Sequence, residues 1–276
     1  MSKSMQTVLA AVAAMALAAN ASAATAPACQ VVSGPQRGAL LELYTSEGCS
    51  SCPPADRWFA AQAAAADPRK LSLLAFHVDY WDSIGWPDRF GSPANSARQQ
   101  LRVAQSGSNS VYTPQLMLGT HTGLPWQSPA RTLAAVHAAT ARPSLLALAL
   151  SATPATGRPD SNRWQVKVQT TPLRPGVALP TAQVYLALYQ DGLSSQVRAG
   201  ENRGLTLHHD RVLRAMYGPW PLAAVQITHA VEVAPPRDAS AGRLGLTAFV
   251  QSNRDGDVLQ ALSLPLPQCA AVRSSQ

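Results

Sequence analysis

Three apolar stretches of strand length mark the first half of the chain, separated by segments that read as helices. Ala39-Leu40-Leu41-Glu42-Leu43-Tyr44 has the near-continuous apolar character of a strand covered on both faces. Thr45 to Gly48 is a loop, and Ala55 to Ala66 is helical by its alanine content and stopped by Asp67-Pro68. Leu71 to Val78 is the second strand. Ser92-Pro93 supplies an N-cap and a first-turn proline for a helix running to about Gln105. Gln115 to Leu118 is the third strand, followed by a turn at Gly119 and a return strand around Thr120 to Leu124. Ser128-Pro129 opens a last helix to about Ala141.

Past Leu145 the pattern changes to alternation, in Leu146, Leu148 and Leu150, then in Trp164 to Val168 and Val184 to Leu188. Ala224 to Val233, Leu244 to Val250 and Val258 to Leu264 continue it, with Asn253-Arg254-Asp255-Gly256 as a hairpin loop between the last two. Such a series predicts a β-sandwich of about seven strands. The chain is therefore expected to hold an α/β domain over 24–142 and an all-β sandwich domain over 143–276, with the boundary near Arg142-Pro143.

The residues before the first domain read differently. Lys3, the apolar stretch Val8 to Ala19 and the triplet Ala21-Ser22-Ala23 form a secretory signal peptide over 1–23. That stretch is too short and alanine-rich for a membrane span, so no stable span is expected after cleavage, and the protein is placed outside the cytoplasm, periplasmic or secreted. The mature chain of about 250 residues is long enough for two cores. Without Lys3 it carries 21 basic against 15 acidic residues, but the arginines are scattered among prolines and turns, which argues against a nucleic-acid face.

Four cysteines in an exported chain permit disulfides. Cys29 and Cys269 lie near the two ends of the mature chain, and a structural bridge between them would tie down termini that otherwise fray. Cys49 and Cys52 form a tight pair at a strand-to-helix junction. There the unpaired N–H groups and positive dipole end of the helix favour thiolate over thiol, and thiolate is the reactive form. Pro53-Pro54 works against this, because a residue before proline is pushed out of the helical region; the helix is expected to begin at Pro54, more than a turn from Cys49.

Parallel strands joined by a helix bring their carboxyl ends to one edge of the sheet. His77, Asp79 and Asp82 are thereby expected beside the dithiol, with His77 and Asp79 on one face if the strand continues, able to move the proton that thiol exchange requires. Asp82 is read instead as part of a hydrogen-bonding rim that orders the following loop. Proline cannot donate to a sheet ladder, so Pro114 belongs at the entrance of the third strand, and the topology favours a cis Thr113–Pro114 bond near the cysteines. Glu201, His208, His209 and Asp210 form the remaining polar cluster. Adjacent histidines on a strand face opposite sides, so His208 and His209 do not easily share a metal.

The order of elements, the dithiol position and the proline before the third strand resemble a thioredoxin fold. More narrowly, Leu43 to Asp56, Phe76 to Asp82 with Gly85-Trp86, Val111 to Gln115, and Gly200 to Leu207 are similar to a secreted bacterial thioredoxin-like family catalogued as domain of unknown function 1223. The resemblance implies an α/β thioredoxin-like domain followed by the sandwich, with redox competence and no defined substrate. The Ser-Ser dipeptide and double proline differ from the Gly-Pro of ordinary thioredoxins.

The function expected is thiol–disulfide oxidoreduction, with Cys49 attacking and Cys52 resolving, a protein or small-thiol disulfide as substrate and no cofactor. One alternative is a copper(I)-binding or delivery protein using Cys49, Cys52 and His77, since thiolate and imidazole suit that ion. Another is a structural secreted module with an inert Cys49–Cys52 bridge.

Overall fold

Strand β2 (Ala39–Thr45) is buried at every residue because it runs between β3 (Leu71–His77), parallel to it, and β4 (Gln115–Leu118), antiparallel to it. This computed structural model describes residues 29–155, 163–239, 243–267 and 269; the export signal expected over 1–23 lies outside them. Helix α1 (Cys52–Ala65) connects β2 to β3, and α2 (Pro93–Gln105) lies between β3 and β4. Ser92 caps α2 by accepting from the Asn95 N–H at 3.2 Å. After the short β5 (His121–Thr122) comes α3 (Pro129–Thr140), so the connection at 141–145 leads from a helix into the strands of the second half.

Those strands are β6 (Leu146–Pro154), β7 (Trp164–Pro172), β8 (Ala182–Gln190), β9 (Leu193–Gln196), β10 (Thr206–His209), β11 (Val212–Pro221), β12 (Ile227–Val233), β13 (Leu244–Ser252) and β14 (Val258–Pro265). Before β2 stands β1 (Cys29–Val32). The expected division into a thioredoxin-like α/β domain and a separate sandwich is corrected by the way they pair. A single eight-stranded sheet, in the order β14-β13-β8-β11-β3-β2-β4-β5, runs through both halves, and with three helices among the described residues the fold is mostly β. The joint is β11, which lies parallel to β3 at Val212 and Ala75, where the Ala75 N–H donates to the Arg211 carbonyl at 2.8 Å. An uncovered β3 would leave a row of unpaired backbone groups. β11 covers part of that row.

A second sheet, β1-β6-β7-β12, carries a first-half strand at its edge. Its Leu146, Leu148, Leu150, Val166 and Val168 meet Val184, Leu186, Leu188, Leu246, Ala248 and Leu262 of the large sheet. On the same face of the large sheet, Leu41, Leu43, Leu73 and Leu116 pack against Phe59 of α1 and Val136 of α3. The opposite face carries Leu40, Tyr44, Phe76, Tyr189 and Phe249 and is covered by α2 through Val103. Arg98 of α2 lies over the rings of Phe76, Tyr185 and Phe249, and its charge meets buried Glu42 at 2.6 Å. The two halves thus share a core, and the edge of the sheet that carries the dithiol is faced by residues from both.

Candidate active site

β2 ends at Thr45, and the chain turns through Ser46 to Ser51 before entering α1 at Cys52. The helix begins two residues earlier than expected, because prolines in the first turn give up N–H groups that have no intrahelical partner anyway. Cys49 and Cys52 are joined by a disulfide with Cα atoms 5.4 Å apart. The Cys52 N–H donates to the Cys49 carbonyl at 3.1 Å, so Cys49 sits directly at the amino end of α1. On reduction that end would favour a Cys49 thiolate. Ser50 and Ser51 are exposed, whereas both cysteines are fully buried.

Beneath the loop lies a cluster of ionisable side chains, buried Glu47 from the loop, His77 from the end of β3, Asp88, and His209 from β10, with half-buried Asp56 from α1. Glu47 accepts from the Trp86 indole N–H at 2.7 Å and meets His209 Nε2 at 3.1 Å, while its own backbone N–H donates to Asp88 at 2.8 Å. Asp88 also meets His77 Nδ1 at 2.6 Å. The His77 and His209 rings lie edge to face with centroids 4.8 Å apart. Asp56 accepts from the Thr45 hydroxyl at 2.8 Å and stands 4.0 Å from His209 Nδ1. It lines a small cleft with Leu43, Phe59, Ala75, His77, His209 and Asp210, and a neighbouring pocket with Pro53, Arg57, Thr206, Leu207 and His208.

Burial alone would raise the Asp88 pKa, but the His77 charge and hydrogen bond outweigh it and hold the carboxyl at about 2. For His77 burial pulls downward, and Asp88 reverses the sign, so its pKa is raised. Glu47 is lowered despite burial, chiefly by the His209 hydrogen bond. Asp56 goes the other way: burial wins over the two imidazoles, and its pKa is raised. One cluster therefore holds carboxyls pushed in opposite directions, a pattern found where protons are moved.

Of the residues singled out from sequence, Cys49, Cys52 and His77 stand at this end of the sheet. So does Pro114, whose bond to Thr113 is cis: Gln115 pairs with Tyr44, which sets Pro114 next to Thr45, the residue opposite His77 on the other side. Asp79 does not join the cluster, because β3 stops at His77 and the Asp79 carboxylate turns to the Ser96 hydroxyl of α2. Asp82 accepts from the Asp88 N–H at 3.0 Å. His208 is exposed and His209 buried, as alternation on β10 requires. Asp210 accepts from the Gly192 N–H at 2.7 Å. Far from this edge, Cys29 and Cys269 form the second disulfide, spanning 240 positions.

Sequence reasoning missed Glu47, Asp56 and Asp88 as partners of the histidines. Glu47 and Asp56 lie inside the stretch Leu43 to Asp56 that already stood out, and Asp56 is four residues beyond Cys52, one helical turn along the same face. Asp88 carries no local signal. Asn202 was also missed as a contact of the cysteine loop: its side-chain N–H groups donate to the Glu47 carbonyl at 2.8 Å and the Cys49 carbonyl at 3.0 Å.

Residues 40–251, spanning the dithiol, the cluster and the hairpin that brings Asn202, match the family described as "Protein of unknown function (DUF1223)". The chain belongs to the DUF1223 family. Among curated proteins none matches it. Two solved structures share the fold of this DUF1223 protein. Protein AGR_C_4864 of Agrobacterium tumefaciens is 23% identical, covering 82% of this chain and 93% of its own, with a TM-score of 0.58. HBP35 of Porphyromonas gingivalis is 11% identical, covering 84% of this chain and 76% of its own, with a TM-score of 0.61. No helix among the described residues of this DUF1223 chain is long and apolar enough to cross a membrane.

Proposed function

We propose that this DUF1223 protein is an exported thiol–disulfide oxidoreductase acting through Cys49 and Cys52. The observation that carries the reading is the five-member ionisable cluster directly under the disulfide loop. Burying carboxylates and imidazoles costs several kcal/mol per charge unless they are paired, and a bridge that merely fixed the loop would need none of them. In the oxidised form described here, a substrate thiolate attacks Cys49 Sγ. The disulfide breaks, its electron pair goes to Cys52 Sγ, and that sulfur takes up a proton. A second substrate thiolate then attacks the substrate sulfur of the mixed disulfide and expels Cys49 as thiolate. The substrate has lost two electrons and the Cys49/Cys52 pair has gained them; the same steps reversed reduce a substrate disulfide.

Trapping tests the assignment. Cys52→Ser should accumulate a mixed disulfide through Cys49 with an exported protein thiol or with glutathione, and Cys49→Ser should not; the opposite result overturns the roles. Complete burial of both cysteines favours a second reading, an inert bridge. A Cys49/Cys52 reduction potential below about −300 mV, with no exchange against glutathione or insulin, would establish that reading instead.

A further inference from the structure

The disulfide is buried although it lies in a loop whose two serines face solvent. The hairpin β9–β10, from the far half of the chain, is folded over that loop. Its tip, 198–204, is flanked by the contact between Val197 and Leu205, where the Val197 N–H donates to the Leu205 carbonyl at 2.9 Å. Asn202 is the buried residue of the tip and holds the carbonyls of Glu47 and Cys49. Glu201 is exposed and accepts from the Ser50 N–H at 3.0 Å. Gly200, at φ +72°, lies flat against Trp86, where a Cβ would come within 3.3 Å of the Trp86 Cβ. At Gly200 the tip also lies beside Gly85 and Ile84, and the Gly204 N–H donates to the Val197 carbonyl at 2.8 Å within the hairpin; Asn202 is its buried anchor on the cysteine loop, whereas the arms are held by several buried side chains. His209 meets Glu47, and Arg89 donates to the Ser195 hydroxyl at 3.1 Å and to the Ser194 carbonyl at 2.7 Å. Leu193, Val197 and Leu207 are buried.

We infer that the 198–204 tip is a displaceable cover over the cysteine loop, latched by Asn202, and that thiols reach Cys49 only after the latch opens. This rests on the oxidoreductase reading for its purpose but not for its test. Gly200 and Gly204, at φ +72° and +87°, lie on either side of Asn202 within the tip and supply the backbone freedom that a hinge uses. The latch holds main-chain carbonyls of the loop, so a partner protein that offered its own donors to those carbonyls could displace Asn202, whereas a small thiol must wait for spontaneous opening. Access to the dithiol is thereby set by the second half of the chain.

The experiment is the rate at which dithiothreitol reduces Cys49–Cys52 in the full mature chain, read by alkylation and mass, in the wild type and in Asn202→Ala. Losing two hydrogen bonds from the closed state should raise that rate by about tenfold or more. The rate at Cys29–Cys269, remote from the cover, should stay as it is in the wild type. An unchanged Cys49–Cys52 rate overturns the inference, and so does an equal rise at both disulfides, which would mean that whole-chain unfolding is the route. If Asn202→Ala does not fold, hydrogen exchange of the wild type decides. The amides of 198–204 should exchange together with Ser50 and ahead of β2 and β3, and exchange only in step with those strands overturns it. A fast, latch-sensitive reduction without any exchange against insulin or glutathione would sink the oxidoreductase reading and leave the cover standing.

Discussion

Asp88→Asn removes one charge from the cluster while keeping the shape of the side chain. Asp88 is buried. One of its oxygens meets His77 Nδ1 at 2.6 Å and the Glu47 N–H at 2.8 Å, and the other accepts from the Phe90 N–H at 2.9 Å. A carboxyl held at about 2 rather than its ordinary 3.8 stabilises the fold by about 2 kcal/mol. Because the folded value is depressed, that contribution is present above 3.8 and is lost as pH falls through about 2. His77 is raised, so its share is full below its ordinary 6.5 and is lost as pH rises through the folded value. Both contributions are therefore complete only between roughly pH 4 and 6.5. In Asp88→Asn the imidazolium loses its counter-charge and the new amide presents donors where donors already point, a defect that costs about 3–5 kcal/mol. Without the carboxylate, burial pulls His77 toward its neutral form, so the variant suffers less as pH rises. Urea unfolding with both disulfides intact should show the full deficit at pH 5 and a smaller one at pH 8. A deficit below about 1 kcal/mol at pH 5, the net worth of an ordinary hydrogen bond, would refute the reasoning, as would one that did not change with pH.

Other changes have equally definite outcomes. Glu42→Ala strands the charges of Arg98 and Arg102, which lie 2.6 and 3.5 Å from its carboxylate, and should cost about 3–5 kcal/mol in urea unfolding; a loss under about 1 kcal/mol would show that water already compensates them. Replacing Cys29 and Cys269 together by alanine opens a loop of 240 positions and should cost about 2–5 kcal/mol, with the Cys49/Cys52 reduction potential unaltered when measured in the same variant. Gly38→Ala puts a methyl into the Ala261 carbonyl, where backbone cannot yield, and should lower stability by about 1–3 kcal/mol by thermal unfolding, whereas a wild-type melting curve would mean that β14 shifts freely.

Much of the local structure was legible because burial and periodicity are written in neighbouring residues. The apolar run at 39–44, the alternation after 145, the Ser92-Pro93 cap and the Cys49/Cys52 pair at the head of a helix each follow from short-range rules. What failed was the division of the chain. Val212–Pro221 contains Arg214, Gly218 and Pro219, poor strand residues in a segment with two register shifts, so β11 was not anticipated. Without β11, nothing in the sequence says that the sheet of the first half continues into the second. The site failed in the same way. Asp88 sits in a turn without periodicity, and Asn202 lies 153 positions from Cys49, in a hairpin tip whose composition marks only a loop. By itself the sequence determined the helices and strands from Ala39 to Thr140, most of the alternating strands after 145, and where Cys49 and Cys52 stand. Tertiary structure alone decided that the halves share one sheet, that Glu47, Asp56, His77, Asp88 and His209 meet beneath the disulfide, and that Asn202 closes over it. Strand pairing and ion pairing are satisfied by partners far along the chain, and no local rule names the partner.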